Sequence, residues 1–497
     1  MTDTGLQIAD VCVKSDASVR ETVELMDLNC LGVAFVLQGQ QLIGVVSDGD
    51  FRRAALRGQT DLDAPVTSIM NPKPTTLSLG AGAEETFAAL ASGLAEGKRV
   101  FPRVDADGNI RDFSYREHWG LLPVAEPELK GREAAYVLQC VEQNWISSSG
   151  PFVRDFENAF ASYTGLENPV AVSNGTIAIT LALQALEAQR GDEFIVPAST
   201  FAATANAVVA AGGVPVLADV DAVTWGLSPE TVEPLITDRT RGIVAVHLYG
   251  SPCDARGLRE ISDKCGLLLV EDCAEAIGTN VSGRHAGWTS DASTFSFFGN
   301  KTLTTGEGGM VFFADKDVAR RARILRDHGM SKSRRYWHEV VGHNYRLTNL
   351  QAAIGLAQVE RAEALVQQKR LIGQRYEKKL SDLAGVSPMP SSTFGDSSYW
   401  LVPVLLDPEF SDHRDALMEV LASEGIQTRV TFPSLNRMPA FSAFPAAVEF
   451  PVASDIEERG ICLPSTPRMT EESVDFICQI LTKNLEKVST NAMDAKS

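Results

Sequence analysis

The stretch PVAVSNGTIAITLALQALEAQRGDEFIVPASTFAATANAVVAAGGVPVLA, residues 169–218, decides the fold. It alternates apolar strands with helices across glycine turns: Pro169–Ser173, Ile177–Glu187, Glu193–Pro197, Ala202–Ala211 and Val214–Ala218. Continuous apolar strands between helices are typical of a parallel sheet that is covered on both faces. The sequence therefore predicts an α/β domain built on a largely parallel sheet.

The same alternation continues to about residue 370. Gly242–His247 and Leu267–Val270 are further apolar strands, and Asn349–Gln368 has the propensity of one long helix. These patterns predict a large domain over residues 131–370. They also predict a small C-terminal α/β domain over 371–488 and an irregular tail over 489–497.

The first hundred residues have a different texture of short elements. The predicted helices and strands are Val19–Asn29, Gly32–Leu37, Leu42–Val46, Asp48–Arg57, Ala81–Glu96 and Val100–Val104. We expect a separate α/β module over residues 1–118. A polar stretch with two prolines follows and predicts a linker over 119–130.

Composition narrows the class of protein. The formal charge of −19 argues against non-specific binding to nucleic acid and against binding to an anionic membrane surface. No run approaches the ~20 apolar residues that cross a bilayer, and the N-terminus lacks the pattern of a signal peptide. The eight cysteines form no CxxC pair, which favours a reducing compartment and predicts no metal site. We expect a cytoplasmic protein.

A glycine turn, Ser173-Asn-Gly-Thr-Ile177, joins the first strand of the deciding stretch to its helix. The free N–H groups and the positive dipole at a helix N-terminus suit a phosphate. Such turns are also common connectors, so the local pattern leaves both roles open.

A carboxylate pair, Glu271-Asp272, ends the strand that begins at Leu267. Ligands of open α/β sheets bind at the carboxyl ends of the strands. An aspartate there either caps the next turn or faces a ligand, for example a pyridinium nitrogen that must stay protonated.

A single lysine lies within Ser296-Phe-Phe-Gly-Asn-Lys301, among aromatic and glycine residues. Burial disfavours the ammonium form and lowers the pKa of a lysine, which makes the amine a nucleophile. The alternative is a lysine on a surface loop. The apolar context favours the buried amine.

Six motifs in order carry a resemblance to a known family. They are VSNGTIAITLAL, PASTFAATANAV, EDCAEAIG, SFFGNKTLTTGEGGM, RDHGMS and GHNYRLTNLQAAIGLAQVE, within residues 130–485. Together they resemble the DegT/DnrJ/StrS sugar aminotransferases, nearest to their perosamine-synthase branch. The resemblance implies a fold type I pyridoxal-phosphate (PLP) transferase with a mainly parallel seven-stranded sheet.

The resemblance also implies roles around the cofactor ring. Lys301 would bind the cofactor aldehyde covalently and then move protons, and Asp272 would pair with the ring nitrogen. Glu275 would lie beside the phenolic oxygen, where relatives often have glutamine or histidine. Phe201 would stack on the ring face.

By the same resemblance, Gly175, Thr176 and Ser296 would hold the cofactor phosphate. Asn344, in the GHNYR motif, would reach that phosphate from a neighbouring subunit. The family pattern therefore implies a homodimer or a higher homo-oligomer.

The implied reaction moves an amino group from L-glutamate to C4 of a nucleotide-linked 4-keto-6-deoxy sugar. Relatives that dehydrate sugars have histidine at the lysine position, so Lys301 favours amino transfer. Amination at C3 is the first alternative. The second is a non-catalytic regulatory protein that holds PLP and nucleotide only as ligands.

One segment departs from the family pattern. Residues 425–439 keep the frame GIETRPxFxPLHxQP but lose the proline after the arginine, the histidine and the glutamine. This region lies near the substrate in relatives. Four cationic side chains are candidates for a substrate phosphate or the glutamate carboxylate: His247, His328, Arg346 and Arg429.

The N-terminal module resembles a pair of cystathionine-β-synthase (CBS) domains. Gly44-Val-Val-Ser-Asp-Gly-Asp50-Phe-Arg-Arg53 is similar to the second-strand motif, and SIMNPKP at residue 68 is similar to the start of a second copy. The resemblance implies an adenine nucleotide held by Ser47, Asp50 and Arg52. A tethering or dimerisation module without ligand is the alternative.

Overall fold

The computed structural model describes residues 7–58, 61–79, 98–115, 122–381 and 383–494. The chain divides into two compact units, one of Met1–Leu122 with Asp475–Gln479 and one of Pro123–Val474 with Ile480–Ser497. Within the described residues, no helix has both the length and the apolar character needed to span a membrane.

A seven-stranded sheet forms the centre of the larger unit. In spatial order its strands are Val170–Val172, Gly309–Phe313, Ala292–Ser296, Leu268–Asp272, Thr240–Val246, Glu193–Pro197 and Val214–Ala218. Only Gly309–Phe313 runs antiparallel to its neighbours. The predicted mainly parallel sheet is confirmed, and its strands are buried along almost their whole length because helices cover both faces.

Helices alternate with these strands, as the apolar pattern predicted. The helices of residues 133–380 are Glu133–Glu142, Pro151–Thr164, Gly175–Ala185, Ala203–Ala210, Pro229–Val232, Ala255–Cys265, Lys316–Arg326, Asn349–Val359 and Ala362–Leu380. The helix Gly175–Ala185 is apolar on nearly every face, and seven of its residues are buried. Such a helix must lie inside the protein and fixes the glycine turn before it.

A four-stranded antiparallel sheet follows in the C-terminal part. Its order is Val386–Pro388, Val402–Leu406, Gly460–Leu463 and Arg429–Val430. The helices here are Arg414–Ser423, Pro451–Arg459 and Glu471–Asp494. The small α/β architecture predicted for residues 371–488 is present, and a two-stranded ribbon, Asn280–Val281 with Arg284–His285, completes the strands of this unit.

The N-terminal unit contains two three-stranded sheets of the same topology. The strands Cys12–Lys14, Val33–Gln38 and Gln41–Ser47 form the first, and Leu77–Ser78, Val100–Val104 and Ile110–Tyr115 form the second. In each sheet the first pair is parallel and the second pair is an antiparallel hairpin. The helices Val19–Leu28 and Asp48–Leu56 belong to the first copy. The predicted helix Ala81–Glu96 lies outside the described residues.

Two predicted boundaries need correction. The expected helix Asn349–Gln368 is two helices that meet at Glu360 and Arg361, and the second one crosses the predicted domain boundary at residue 370. Arg361 leaves the helical conformation at the break, and its side chain pairs with Glu128, which is distant in the sequence. The last helix continues to Asp494, past the start of the predicted tail.

Candidate active site

A cavity of about 580 Å³ opens at the carboxyl ends of the parallel strands. It gathers seven of the eight residues to which the resemblance gives a role around the cofactor: Gly175, Thr176, Phe201, Asp272, Glu275, Ser296 and Lys301. They come from separate segments of the chain, and the sheet brings them together because its strands end at one edge.

The side chains of Glu271 and Asp272 point to opposite faces of their strand, as alternation requires. Asp272 lines the cavity and is 5% exposed. Its Oδ2 accepts a hydrogen bond from the Thr204 hydroxyl at 2.8 Å, and its Oδ1 accepts one from the Ala274 N–H at 3.1 Å. Burial raises the pKa of Asp272, and these two donors oppose that shift.

Glu271 points away from the cavity into a closed network. It accepts hydrogen bonds from Gly287 N–H and from the backbone and hydroxyl of Thr289. His247 Nδ1 accepts from Cys253 N–H, so its Nε2 carries the proton and donates to Glu271 at 2.8 Å. Cys273 lies near enough to form a metal-sized cluster with this pair, but both ring nitrogens of His247 are already engaged. The network fixes the strand that presents Asp272.

Lys301 is buried inside the cavity, with 12% of its side chain exposed. Its Nζ lies 3.6 Å from Glu275 Oε1 and 3.7 Å from the centre of the Trp400 ring. Burial lowers the pKa of Lys301, while the Glu275 and Asp272 carboxylates oppose the shift. The buried amine that the aromatic context favoured is present.

Glu275 is the second carboxylate that faces Lys301. Its Oε2 accepts a hydrogen bond from Tyr249 N–H at 2.8 Å. Burial raises the pKa of Glu275 to about 7, although the charge of Lys301 pulls in the other direction. Near neutral pH this group therefore exists both as an acid and as a carboxylate.

The glycine turn forms a cradle at the start of the helix Gly175–Ala185. A Cβ added to Gly175 would lie 2.8 Å from the Ser296 Cβ, so only glycine leaves room here. The first N–H groups of a helix have no acceptor within the helix, and the Asn174 side chain occupies only that of Ile177. This cradle has the N–H groups and the space for a phosphate.

Phe201 stands at the cavity mouth with 59% of its surface exposed. Its ring centre lies 5.7 Å from that of Phe432. An exposed aromatic face at the rim of a cavity is available to a flat ligand.

Among the four candidate cations, only Arg429 lines this cavity. His247 is fully buried in the Glu271 network, and His328 is bonded to Arg346 on an exposed segment. Asn344 also lies outside the cavity, where its side chain accepts a hydrogen bond from Arg346 at 3.0 Å.

Three residues that the sequence did not single out complete the walls. Thr204 binds Asp272, Tyr249 binds Glu275 through its N–H, and Trp400 covers Lys301. Thr204 belongs to the quoted motif PASTFAATANAV and lies in the first turn of the helix Ala203–Ala210, three residues after Phe201. Tyr249 and Trp400 belong to no quoted motif.

In the N-terminal unit, Ser47 and Asp50 cap the helix Asp48–Leu56. The hydroxyl of Ser47 donates to Asp50 Oδ2 at 2.6 Å, and the backbone N–H of each residue binds the side chain of the other. Arg53 also pairs with Asp50, at 2.6 Å. Arg52 turns back to the Asp48 carbonyl at 3.3 Å. The three residues predicted to hold a nucleotide are thus neighbours, and two of them, Ser47 and Asp50, form a capping box.

The sheet and the cavity define a fold type I PLP-dependent transferase. The solved structure of DesI with its TDP-sugar product has the same fold, with a TM-score of 0.69 and 31% identity over 76% of this chain and 95% of that chain. The chain belongs to the DegT/DnrJ/EryC1/StrS aminotransferase family, whose model matches residues 127–482. A CBS domain model matches residues 8–57.

Curated relatives lie within the same family. The GDP-perosamine synthase of Vibrio cholerae is 41% identical over 73% of this chain and 98% of its own length. That of Caulobacter vibrioides is 43% identical with the same coverage. The chain is therefore a PLP-dependent aminotransferase, and the residues of the cavity fit that cofactor: a buried carboxylate, a buried amine and a helix N-terminus with room for phosphate.

We predict that Glu275 makes the stability of the cofactor-free protein depend on pH. The unfolded chain releases this proton near pH 4.5, whereas the native state keeps it to about pH 7. The Glu275 contribution to the free energy of unfolding should therefore fall across that window, by up to ~3 kcal/mol. Urea unfolding at several pH values should show a flatter dependence for Glu275→Gln.

Glu307→Gln is the matched control, because Glu307 lines the same cavity at an exposed position. It should keep the pH dependence of the unaltered protein. If Glu275→Gln kept it too, the burial of a protonated Glu275 would be wrong.

Proposed function

We propose that this enzyme transfers the amino group of L-glutamate to C4 of a nucleotide-linked 4-keto-6-deoxy sugar. The observation that carries the proposal is the meeting of Lys301, Asp272 and Glu275 in one cavity at the sheet edge. The names of the GDP-perosamine synthases support the class of substrate.

When bound, PLP supplies an aldehyde that joins the amine and a conjugated ring that accepts electrons from the reacting carbon. In this proposal Asp272 keeps a proton on the ring nitrogen. The Thr204 hydroxyl and the Ala274 N–H fix the orientation of that carboxylate. The cradle of Gly175, Thr176 and Ser296 would hold the cofactor phosphate, and Phe201 would cover the ring.

Lys301 has two tasks in the proposed reaction. Its amine would hold the cofactor covalently and, when free, would take the proton from the donor α-carbon. Both tasks need the neutral amine, which burial favours. Glu275 lies 3.6 Å away and accepts the proton that the ammonium must lose.

We also propose that the active form is a homodimer or a higher homo-oligomer. Asn344 lies on an exposed segment outside its own cavity, as expected of a residue that serves a neighbouring subunit. Because none of the eight cysteines is in a disulfide, we place the reaction in the cytoplasm.

Lys301→Met should abolish covalent attachment of the cofactor and lower amino transfer at least 1,000-fold, the usual scale for losing both a covalent anchor and a base. Borohydride reduction followed by peptide mass spectrometry should find the cofactor on Lys301 in the unaltered enzyme and on no lysine in the variant. Attachment at another lysine would contradict the assignment.

Glutamate should convert the bound cofactor to its amine form, seen as loss of the absorbance band. A panel of nucleotide-linked 4-keto and 3-keto sugars, analysed by mass spectrometry, then identifies the acceptor. Amination of a 3-keto sugar alone would establish the C3 alternative. If no amino acid changed the absorbance, the chain would be a regulatory binder and the proposed reaction would be wrong.

Arg429 is the proposed site for the donor carboxylate. Among the described residues that line the cavity, the only cations are Lys301 and Arg429. No acidic partner of the Arg429 guanidinium is found in that part of the chain, and an arginine fork binds a carboxylate through two hydrogen bonds.

Arg429→Gln should raise the KM for glutamate about 10- to 100-fold, because a charge-assisted pair is lost. The KM for the nucleotide sugar should stay within about twofold. Steady-state kinetics with each substrate varied separately measures both constants. Arg437→Gln, an exposed arginine of the same region, is the control. A matching rise in the KM for the sugar would assign Arg429 to the sugar nucleotide instead.

For the CBS domain we propose an adenine nucleotide at Ser47, Asp50 and Arg52. ATP or AMP should then raise the melting temperature of the full chain, and Asp50→Ala should remove that rise because the ribose hydroxyls lose their acceptor. Differential scanning fluorimetry measures both. If neither nucleotide changed the melting temperature, the nucleotide proposal would be wrong, and Ser47 and Asp50 would serve only to cap the helix.

A further inference from the structure

Trp400 contacts both the side chain of Lys301 and the backbone just before it. Its ring face lies 3.7 Å from the Lys301 Nζ, and its indole N–H donates to the carbonyl of Asn300 at 2.9 Å. The Tyr249 ring stacks on Trp400 with ring centres 6.3 Å apart and an interplanar angle of 11°. The indole therefore fixes both the backbone before Lys301 and the position of its amine.

Lys369 is a second buried lysine and lies behind Trp400. It is 2% exposed, and its Nζ donates to the Trp400 carbonyl at 2.6 Å and to the carbonyl and hydroxyl of Ser465. All three acceptors are neutral oxygens. Burial lowers the pKa of Lys369 to about 7. Burying an ammonium without a carboxylate is costly, so the position needs a reason beyond simple packing.

The helix Ala362–Leu380, which contains Lys369, packs against the residues just before Trp400. Glu377 accepts a hydrogen bond from the Tyr399 hydroxyl at 2.9 Å, and Arg370 donates to the Ser397 carbonyl at 3.3 Å. A Cβ at Gly373 would overlap the Tyr399 ring, so the segment lies directly on the helix. Tyr399 itself has a φ of 50°, a strained conformation for a tyrosine.

We propose that Lys369 is a positioning residue for the reaction. Lys369 fixes Trp400, and the indole face of Trp400 and the carboxylate of Glu275 together hold the Lys301 ammonium when that residue is not bound to the cofactor. This inference rests on Lys301 being the working amine of the proposed function. Lys369 touches neither the cavity nor the reacting atoms, so its effect passes through Trp400.

The aromatic face stabilises the charged form of Lys301. The charged groups that act on Lys301 are the carboxylates of Glu275 and Asp272 and the guanidinium of Arg429. The two carboxylates raise the pKa of Lys301, and burial and Arg429 lower it. Loss of the indole from its position should therefore lower that pKa further.

The test measures the amine of Lys301 directly, in the full chain without cofactor. Acetic anhydride labelling across a pH series, with peptide mass spectrometry, gives the apparent pKa of Lys301. Lys369→Met should lower that pKa by about one unit, the shift that corresponds to a cation–π contact of ~1–2 kcal/mol. Trp400→Leu should lower it by the same amount, and the double variant should show no further decrease.

In the holoenzyme, Lys369→Met should move the pH profile of kcat for the glutamate half-reaction to lower pH and leave the KM for glutamate unchanged. Lys378→Met, an exposed lysine of the same helix, is the matched control and should change neither quantity. The labelling result does not depend on turnover, so it tests the Lys369 proposal even if the sugar proposal fails.

An unchanged Lys301 pKa in Lys369→Met, beside a lowered one in Trp400→Leu, would overturn the proposal and leave Lys369 a structural role. If Lys369→Met does not fold, Ser465→Ala is the second variant, because the Ser465 hydroxyl contacts both Lys369 Nζ and the Trp400 carbonyl. It should lower the pKa by a smaller amount. No decrease there would count equally against the proposal.

Discussion

The site depends on one constraint: an amine and two carboxylates are buried together where the parallel strands end. A buried charge is tolerated only beside an opposite charge or good hydrogen-bond partners. Lys301 and Glu275 supply this for each other, and Thr204 and Ala274 supply it for Asp272. Burial and these partners act in opposite directions on the pKa of each of the three groups.

Strand alternation decides which of the two carboxylates faces the cavity. Glu271 and Asp272 are adjacent and similar, yet the pleat sends one into the closed His247 network and the other into the cavity. A shift of one residue in the register with the neighbouring strand would exchange them. The parallel pairing of Leu268–Asp272 with Thr240–Val246 and Ala292–Ser296 is therefore a functional feature as well as a structural one.

The sequence predicted the sheet, its helices and the core of the site, because local patterns produce them. The apolar runs, the glycine turn and the lysine motif are each contained within a few consecutive residues. What it missed depends on distant contacts. Arg361, at the helix break, pairs with Glu128, and the Trp400 wall packs against a helix that lies thirty residues earlier. Neither contact leaves a periodic or spaced signal in its own segment.

The C-terminal part of the chain also contributes side chains to the cavity. It provides Arg429 and Trp400 to the cavity, while the large sheet provides Asp272, Glu275 and the glycine cradle. Cofactor chemistry needs fixed groups, and these come from rigid strand ends whose motifs are easily recognised. Arg429 and Trp400 come instead from segments that are placed by packing against distant parts of the chain. This division explains why the family chemistry was readable from the sequence while the walls around Lys301 required the structure.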